Sequence, residues 1–274
     1  MRRGQSMFLR GATDLARGWR IVRTGVAFAV FGLGLLLFAL VGFRCLRLLP
    51  GTARDKELRG QRLVHLGFRL FTWLMERLGL IRVVWIGTEA LGGAGPRLVI
   101  ANHPTLIDVV LLIACMPQAD CVVKHAYWRS SLMRGVLTGA GYIPNLGGDA
   151  LVDACVDRLR QGRTLLLFPE GTRSPQRQLG PFHRGAAHIA FRSGCDPVPV
   201  IIRCDPPTLM KGTRWYEVPD RTAQLTIEVG GPLAIREHLV AMPNGPLTAR
   251  TLTAAFRDFY EERLGRGRTE HAGA

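Results

Sequence analysis

The sequence predicts an α/β protein in which a central sheet is flanked by helices and preceded by an N-terminal membrane helix and a basic amphipathic helix. Two observations support this prediction. From residue 81 onward, short β-rich runs alternate with helical runs, and several β-rich runs are uninterrupted apolar segments, as in strands covered on both faces. Before residue 81, a long uncharged segment is followed by a segment whose apolar residues recur every three or four positions.

The first predicted helix covers an uncharged run from Thr24 to Phe43. At about 1.5 Å per residue, a helix over this run is roughly 30 Å long, which is the thickness of a bilayer core. A cleaved signal peptide is disfavoured, because the run is long and no small-residue cleavage site follows it. The run either spans the bilayer or lies in one leaflet. Basic residues on both sides leave its orientation undecided: Arg17, Arg20, Arg23, Arg44 and Arg47.

The second predicted helix covers residues 58–80, after the helix-breaking Leu49-Pro50-Gly51. Its apolar residues recur at helical spacing and are interrupted by arginines, and Trp73 is a candidate interface anchor. Two interpretations are open: the helix lies at a membrane interface, or it packs on the domain core. His65 is expected to contribute to packing. Residues 1–80 are therefore predicted to anchor the chain to a membrane.

The globular domain is predicted to run over residues 81–264, followed by a disordered polar tail over 265–274. Helices are expected near residues 106–116, 128–140, 150–161, 184–193, 234–242 and 247–264. The candidate strands are Ile81–Ile86, Arg97–Ala101, Cys121–Lys124, Thr164–Phe168, Val198–Arg203 and Gln224–Val229.

The distribution of charge favours a membrane partner over nucleic acid. The 274 residues include 36 Lys+Arg and 21 Asp+Glu, for a net charge of +15. Residues 1–82 hold 15 of the basic and 4 of the acidic residues, so the remainder carries only +4. A basic third of this kind suits nucleic acid or an anionic membrane surface, and the apolar run inside it favours the membrane.

The six cysteines include no C-x-x-C pair, which predicts reduced thiols in a cytoplasm-facing protein rather than a zinc site. A metal site built from His125, His183, His188 and Asp108 is disfavoured, because His183 and His188 are five residues apart and not four. A serine hydrolase is disfavoured because the sequence has no G-x-S-x-G, and a nucleotide enzyme because it has no phosphate-binding glycine loop.

The first candidate site is Asn102-His103-Pro104-Thr105-Leu106-Ile107-Asp108, at the end of the predicted strand RLVIA. Ligand sites form at the carboxyl ends of strands in α/β sheets. Asp108 lies about one turn into the following helix, where its carboxylate can hold one nitrogen of His103 and leave the other free to take a proton. The alternative is that His103 caps the helix and Asp108 is a surface acid.

The second candidate site, Phe168-Pro169-Glu170-Gly171-Thr172-Arg173-Ser174, also follows an apolar strand. The guanidinium of Arg173 can bind a phosphate through two parallel hydrogen bonds. Glu170 can accept from a substrate hydroxyl or orient the arginine, and Gly171 allows the backbone to approach a ligand closely. The alternative is a loop closed by an internal Glu–Arg pair.

Together, these strings resemble the two signature blocks of the glycerolipid acyltransferases, the lysophosphatidic acid acyltransferase family. Weaker blocks occur in the same order: Lys124 in VVKHAYWR, GYIP at residues 141–144, FHRG at 182–185 and VPV at 198–200. The resemblance covers about residues 81–230. It implies a membrane-bound O-acyltransferase whose domain faces the cytoplasm.

By this resemblance, His103 is the general base and Asp108 orients it. The resemblance assigns the acceptor site to Glu170, Gly171, Thr172, Arg173 and Lys124. It implies no metal and no cofactor other than the co-substrate, acyl-CoA or acyl-carrier protein. The implied acceptor is a hydroxyl of a membrane lipid resembling lysophosphatidic acid.

Two departures from the family pattern leave a specialised non-glycerolipid acceptor as an alternative. GYIPNLGGD lacks the arginine that commonly follows the G-x-I block, and His183 replaces the basic residue of F-K-x-G. The insert 204–219, with Lys211, Arg214 and Trp215, is a candidate for replacement contacts, or else an ordinary surface loop. A membrane-anchored lipid-binding protein without catalytic activity is the non-enzymatic alternative.

Overall fold

The computed structural model describes residues 2–92, 95–175, 178–235 and 246–271. Its core is one seven-stranded sheet in the order β1-β7-β6-β2-β5-β3-β4. All neighbouring strands are parallel except β6 and β7. The predicted α/β sheet is thus confirmed. The strands are β1 Ile81–Ile86, β2 Arg97–Ala101, β3 Asp120–Lys124, β4 Ile143–Asn145, β5 Thr164–Leu167, β6 Pro197–Asp205 and β7 Ala223–Val229.

Helices cover both faces of this sheet, which explains why the strands are apolar throughout. Leu98, Val99 and Ile100 of β2 are all fully buried. One face packs against the helices from the first half of the chain, and the other against helices from the second half. The helices are α1 Arg2–Leu37, α2 Phe43–Leu48, α3 Ala53–Arg77, α4 Asp108–Cys115, α5 Ser131–Gly139, α6 Gly148–Arg160, α7 Gly185–Ser193 and α8 Pro246–His271.

Several predicted elements differ from the structure. Strand β4 was not predicted, because only three residues pair and Pro144 stands among them. The predicted helix over 128–140 begins as a 3-10 turn, His125–Arg129, and turns α-helical only at Ser131. Most of the predicted helix over 234–242 lies outside the described residues. The predicted disordered tail is wrong in part, because α8 continues to His271; glycines within 265–274 weaken a helix without ending it.

The N-terminal segment is helical without a break from residue 2 to residue 48. One π-helical turn, Phe38–Gly42, separates α1 from α2. Phe43 follows this turn and is buried against Gly60 of α3 and Gly139 of α5. An added Cβ at Gly139 would lie 2.2 Å from the Phe43 ring, and one at Gly60 would lie 2.4 Å from the Gly139 carbonyl oxygen, so these glycines allow the helices to approach closely.

The amphipathic helix α3 packs on the domain with one face, which confirms the interpretation as a helix on the domain core for that face. Its inner face packs on α4, where His65 Nδ1 lies 2.9 Å from the carbonyl oxygen of Ile113. Its outer face leaves three large apolar side chains exposed, namely Leu66, Leu70 and Trp73. The helix begins with a capping box in which Thr52 and Asp55 exchange hydrogen bonds.

A buried ionic cluster joins α3 to the sheet at the edge where β2, β3 and β5 begin, which we call the amino edge. Arg163 contacts Asp120 through Nε and Nη2, each at 2.7 Å, and Glu57 through Nη1 at 2.7 Å. Arg158 also donates to Glu57, at 2.6 Å. Gln61 donates to Asp120 at 3.0 Å. Burial raises the pKa of Asp120, and the Arg163 charge opposes that shift.

The last helix closes the centre of the sheet through Tyr260, which is fully buried. Its hydroxyl accepts from the Val200 backbone nitrogen at 3.2 Å and donates to the Ile100 carbonyl oxygen. The hydroxyl thus connects β6 to β2 just before β2 ends.

Candidate active site

The first candidate site lies where β2 ends, at the edge formed by the carboxyl ends of β2, β3, β5 and β6, which we call the carboxyl edge. Asn102 continues the pairing with β6 through its side chain, which donates to the Ile202 carbonyl at 2.9 Å and accepts from the Ile202 nitrogen at 2.7 Å. This side chain takes the place of a further ladder pair. The backbone is therefore free to turn at His103.

The His103 ring is held on two sides. Its Nδ1 lies 2.8 Å from Oδ2 of Asp108, and its face stacks on Phe168 with ring centroids 4.3 Å apart. The side chain retains 15% exposure, and Nε2 has no protein partner among the described residues. One nitrogen is thus fixed by a carboxylate, and the other is available to a ligand.

Asp108 is the first residue of α4, and its side chain is fully buried. Besides His103, it accepts from the backbone nitrogen of Thr105 at 2.7 Å and from the Thr105 hydroxyl. These three contacts satisfy the oxygens of the buried carboxyl group. The Thr-x-x-Asp spacing is a capping signal that could have identified Thr105 from the sequence.

Glu170, just after β5, is also buried, and its oxygens bind groups of the protein itself. Oε1 accepts from the His103 backbone nitrogen at 2.9 Å and from the Ser174 hydroxyl at 2.8 Å, while Oε2 accepts from Gly180 at 2.7 Å. The Ser174 nitrogen donates to the His103 carbonyl oxygen at 2.7 Å. The two predicted motifs are therefore joined by hydrogen bonds. The pairing of Glu170 with the His103 backbone was missed, because nothing local in either motif indicates it.

Arg173 is half-buried and contacts a segment distant in sequence. Its Nη1 lies 3.3 Å from the Leu209 carbonyl oxygen and 3.2 Å from that of Met210. Within the described part of the chain, its Nε and Nη2 have no protein acceptor. The internal pair of Glu170 with Arg173 considered from the sequence does not form; the guanidinium keeps two donor groups for an anion.

The remaining predicted site residues lie around this centre with fewer contacts. Gly171 has φ +63°, and a side chain there would meet the His183 ring at 3.1 Å. Thr172 and Lys124 are exposed, and Lys124 ends β3 at the same edge of the sheet. Arg214 stacks on Tyr216, and Lys211 has no partner among the residues that the structure describes.

Over the described ranges, no group of three or more His, Cys, Asp or Glu side chains is arranged to hold a metal ion. The structure thus offers no ligand set among those residues for the metal site considered from the sequence. The chemistry available at the carboxyl edge is that of a carboxylate-oriented imidazole beside a guanidinium.

Comparison with known families gives a match over the central part of the chain. The family model described as Acyltransferase matches residues 82–203, from β1 into β6. Both candidate motifs and Lys124 lie inside this range.

Three curated proteins and one solved structure illustrate the similarity. A Brassica napus 1-acyl-sn-glycerol-3-phosphate acyltransferase is 27% identical over 39% of this chain and 33% of its own length. A Helicobacter pylori 1-acyl-sn-glycerol-3-phosphate acyltransferase is 30% identical over 43% of this chain and 53% of its own length. The chain thus matches only about a third to a half of these relatives. A Pseudomonas aeruginosa lyso-ornithine lipid O-acyltransferase is 28% identical over 69% of this chain and 70% of its own length.

The solved structure is the 1-acyl-sn-glycerophosphate (LPA) acyltransferase PlsC from Thermotoga maritima. It superposes with a TM-score of 0.68 and covers 91% of this chain and 96% of its own. Its sequence identity is 19%, so this likeness speaks for the fold alone.

Proposed function

The chain belongs to the glycerolipid acyltransferase family, and from this premise we propose that it is an O-acyltransferase. It transfers a fatty acyl group from a thioester, of coenzyme A or acyl carrier protein, to a hydroxyl of a lipid resembling lysophosphatidic acid. His103 is the general base. The observation that carries this proposal is its free Nε2, held at the carboxyl edge by the Nδ1–Asp108 contact of 2.8 Å.

The proposed reaction needs no covalent intermediate on the protein. Nε2 of His103 takes the proton of the acceptor hydroxyl while the oxygen attacks the thioester carbonyl carbon. The carbon–sulfur bond then breaks, and the departing thiolate receives the proton from the imidazolium. Asp108 stabilises the imidazolium between these steps, since it is buried and in direct contact with Nδ1.

The acceptor's charged group is proposed to bind beside Arg173. Its Nε and Nη2 are the donors that remain after Nη1 has bound the Leu209 and Met210 carbonyls. Lys124 adds a second positive charge at the same edge. Glu170 is proposed to act through position rather than contact, because its oxygens already hold the His103 backbone, Ser174 and Gly180.

The experiment is acyl transfer by the full chain in lipid vesicles, with acyl-CoA and acyl-carrier protein supplied separately. His103→Ala is compared with His188→Ala, a matched histidine on α7. We expect His103→Ala to lower turnover by about 10²–10⁴-fold, the usual contribution of a general base, and His188→Ala to retain it. Wild-type turnover by His103→Ala would contradict the proposal.

A second acceptor class is favoured by one specific observation. Residues 143–148, which form β4 and the turn into α6, contain no basic residue, so this part of the edge offers no cation for a phosphate. A relative that matches 69% of this chain is named for a lyso-ornithine lipid. Lysophosphatidic acid and a lyso-ornithine lipid should therefore be tested in parallel. The acceptor with the higher kcat/KM identifies the class.

The chain is proposed to lie on the cytoplasmic membrane with α1 and α2 in one leaflet. The apolar run over residues 24–43 is attached to the domain at both of its ends: Arg23, just before it, donates to the Leu78 carbonyl at 3.1 Å, and Phe43 is buried. A spanning helix would have to leave the domain. Its outer face is an exposed apolar stripe that needs a lipid partner: Val26, Val30, Leu33, Leu37 and Leu40.

This placement predicts that both ends of the helix lie on the same side of the membrane. Single thiols at Arg17→Cys and at the native Cys45, in a background with the other cysteines replaced by serine, should both react with an impermeant maleimide added outside vesicles. Protection of one thiol only would indicate a spanning helix. The free thiols of all six cysteines suit a reducing, cytoplasmic location.

A further inference from the structure

The segment between β6 and β7, residues 206–222, contacts both helix α1 and the turn that carries His103. We call this segment the strap. At the helix, the Trp215 ring lies over Gly25, where an added Cβ would be 3.5 Å from the ring, and meets Phe28 edge-on at 6.4 Å. Arg20 also donates to the Pro219 carbonyl at 3.4 Å. The strap is therefore attached to α1 by an aromatic side chain and a hydrogen bond.

At its other end, the strap pairs with the turn that carries His103. The Leu106 nitrogen donates to the Leu209 carbonyl at 3.0 Å, and Thr105 forms an antiparallel bridge with Met210. The same two strap carbonyls accept from Arg173. Thr105 in turn donates twice to Asp108, which holds His103.

The backbone at this junction is strained. Leu209 has φ +51°, in the left-handed region that a branched side chain rarely occupies. Such a conformation persists only where the surroundings determine it, and here the Leu106 nitrogen and Arg173 both bind the Leu209 carbonyl oxygen. A change in the packing of the strap on α1 would therefore alter the backbone at Leu209.

The helix end of the strap also faces the membrane side of the molecule. Trp215 and Tyr216 are 47% and 38% exposed, next to a helix whose outer face is apolar and exposed. Tryptophan and tyrosine favour the interface between headgroups and acyl chains. Bilayer lipid would cover the exposed side of the Trp215 ring and favour its packed position on Gly25.

We propose that the strap couples the binding of α1 to the membrane with the geometry of the His103–Asp108 pair. Trp215 is the positioning residue. This inference rests on the proposed acyltransferase function. The path runs from α1 through Trp215 to Leu209 and Met210, then through Thr105 and Leu106 to Asp108. Membrane binding would thus hold the base in its working position.

The first test changes the helix and leaves the strap intact. Gly25→Leu places a bulky side chain under Trp215, whereas Gly32→Leu adds the same side chain on the same helix where an added Cβ meets nothing within 4 Å. On vesicles, amide exchange at Leu106 should rise at least about tenfold in Gly25→Leu, because its hydrogen bond to the strap opens more often. In Gly32→Leu it should remain at the wild-type rate.

The second test is catalytic. Per vesicle-bound molecule, Trp215→Ala should lower kcat by about tenfold to a hundredfold, as expected when a catalytic group is misplaced, with the acceptor KM changed by less than about twofold. Trp215→Phe should restore most of the loss. Trp73→Ala removes an exposed tryptophan from the membrane side of α3 and serves as the control; it should change vesicle binding only.

The outcomes separate the two proposals. Unchanged Leu106 exchange in Gly25→Leu, or unchanged kcat in Trp215→Ala, overturns the coupling even if the wild type is active. If the exchange rises as expected but neither the wild type nor Trp73→Ala transfers an acyl group, the coupling of helix to turn is supported and the proposed function is overturned.

Discussion

The two edges of the sheet bury charge in opposite ways. At the amino edge, Arg163 and Glu57 belong to a cluster whose charges face one another, and the side chains of Arg163 and Asp120 are 4% and 0% exposed. At the carboxyl edge, Asp108 is equally buried, but its partner His103 keeps one nitrogen without a protein partner among the described residues. A closed network holds the fold, whereas an open one can exchange a proton with a ligand.

Helix α3 reaches both edges of the sheet. Glu57, near the start of α3, enters the cluster at the amino edge. The end of α3 binds Arg23 of α1 through the Leu78 carbonyl, beside the strap at the carboxyl edge. If the two edges are energetically distinct, loss of Asp108 should act mainly on turnover and loss of Arg163 mainly on stability.

Asp108→Asn should abolish the support that the carboxyl edge gives to His103 as a base. The amide has only one acceptor oxygen for the three donors that Asp108 now satisfies, and it cannot stabilise an imidazolium. Turnover should fall by about 10²–10⁴-fold. Asp149→Asn, in the first turn of α6 and exposed, is the control. A variant with unimpaired turnover would mean that the pair is structural, like the cluster at the other edge.

Arg163→Met should show the reverse pattern at the amino edge. It leaves the buried Asp120 without its cation, which typically costs about 3–5 kcal/mol of unfolding free energy. Turnover per folded molecule should remain near wild type. Denaturant unfolding in detergent measures the first effect, and Arg192→Met, which breaks an exposed pair with Asp153, should cost less than about 1 kcal/mol.

Gly180→Ala tests whether the unfolding free energy and the turnover depend on the same contact of Glu170 at the carboxyl edge. A Cβ at Gly180 would lie 2.5 Å from Oε2 of Glu170, so the carboxylate that holds the His103 backbone must move. Overpacking of this kind costs about 1–3 kcal/mol. Gly185→Ala, where an added Cβ meets nothing within 4 Å, is the control. Loss of stability without loss of turnover would show that the base does not depend on the contact of Glu170 with the His103 backbone.

Glu57→Gln should have the smallest effect, and one that depends on pH. Burial alone would raise the pKa of Glu57, but hydrogen bonds from Arg158 and Arg163 outweigh it and lower the pKa below its ordinary value of 4.5. The ionised form is therefore favoured in the folded state. Its stabilisation is complete above that ordinary value and is lost as the pH falls through the lowered one.

At neutral pH we expect Glu57→Gln to lower the unfolding free energy by about 1 kcal/mol, because the pair is partly exposed. The difference from wild type should narrow as the pH is lowered below 4.5. Glu89→Gln, on an exposed glutamate, should show no such trend. A difference that stays constant with pH would show that the charge of Glu57 is irrelevant to the cluster.

The sequence predicted what depends on local periodicity. The alternation of apolar strands and helices identified six of the seven strands, and the spacing of His103 and Asp108 placed them together where a strand gives way to a helix. It did not predict β4, whose three residues carry no periodic signal. Nor did it predict that Glu170 holds the His103 backbone or that Arg173 binds the strap, since both contacts join residues more than thirty positions apart.

The interpretation of α3 illustrates the same limit. Its helical spacing was clear from the sequence, and Leu66, Leu70 and Trp73 do form an exposed apolar face. The opposite face buries Gln61 and His65 by pairing them with Asp120 and the Ile113 carbonyl. The packing expected of His65 is thus confirmed, whereas the burial of Gln61 was not predicted, because its partner Asp120 is distant in sequence.

The position of Tyr260 has a consequence for the order in which the chain is made. Its hydroxyl bridges Ile100 and Val200, yet it follows Ile100 by 160 residues. At about 5–20 residues per second, the ribosome reaches it roughly 10 to 30 s after β2. Helix α1 can therefore meet the membrane well before Tyr260 bridges β2 and β6, and a nascent chain stalled short of residue 260 would lack this bridge although the two strands can already pair.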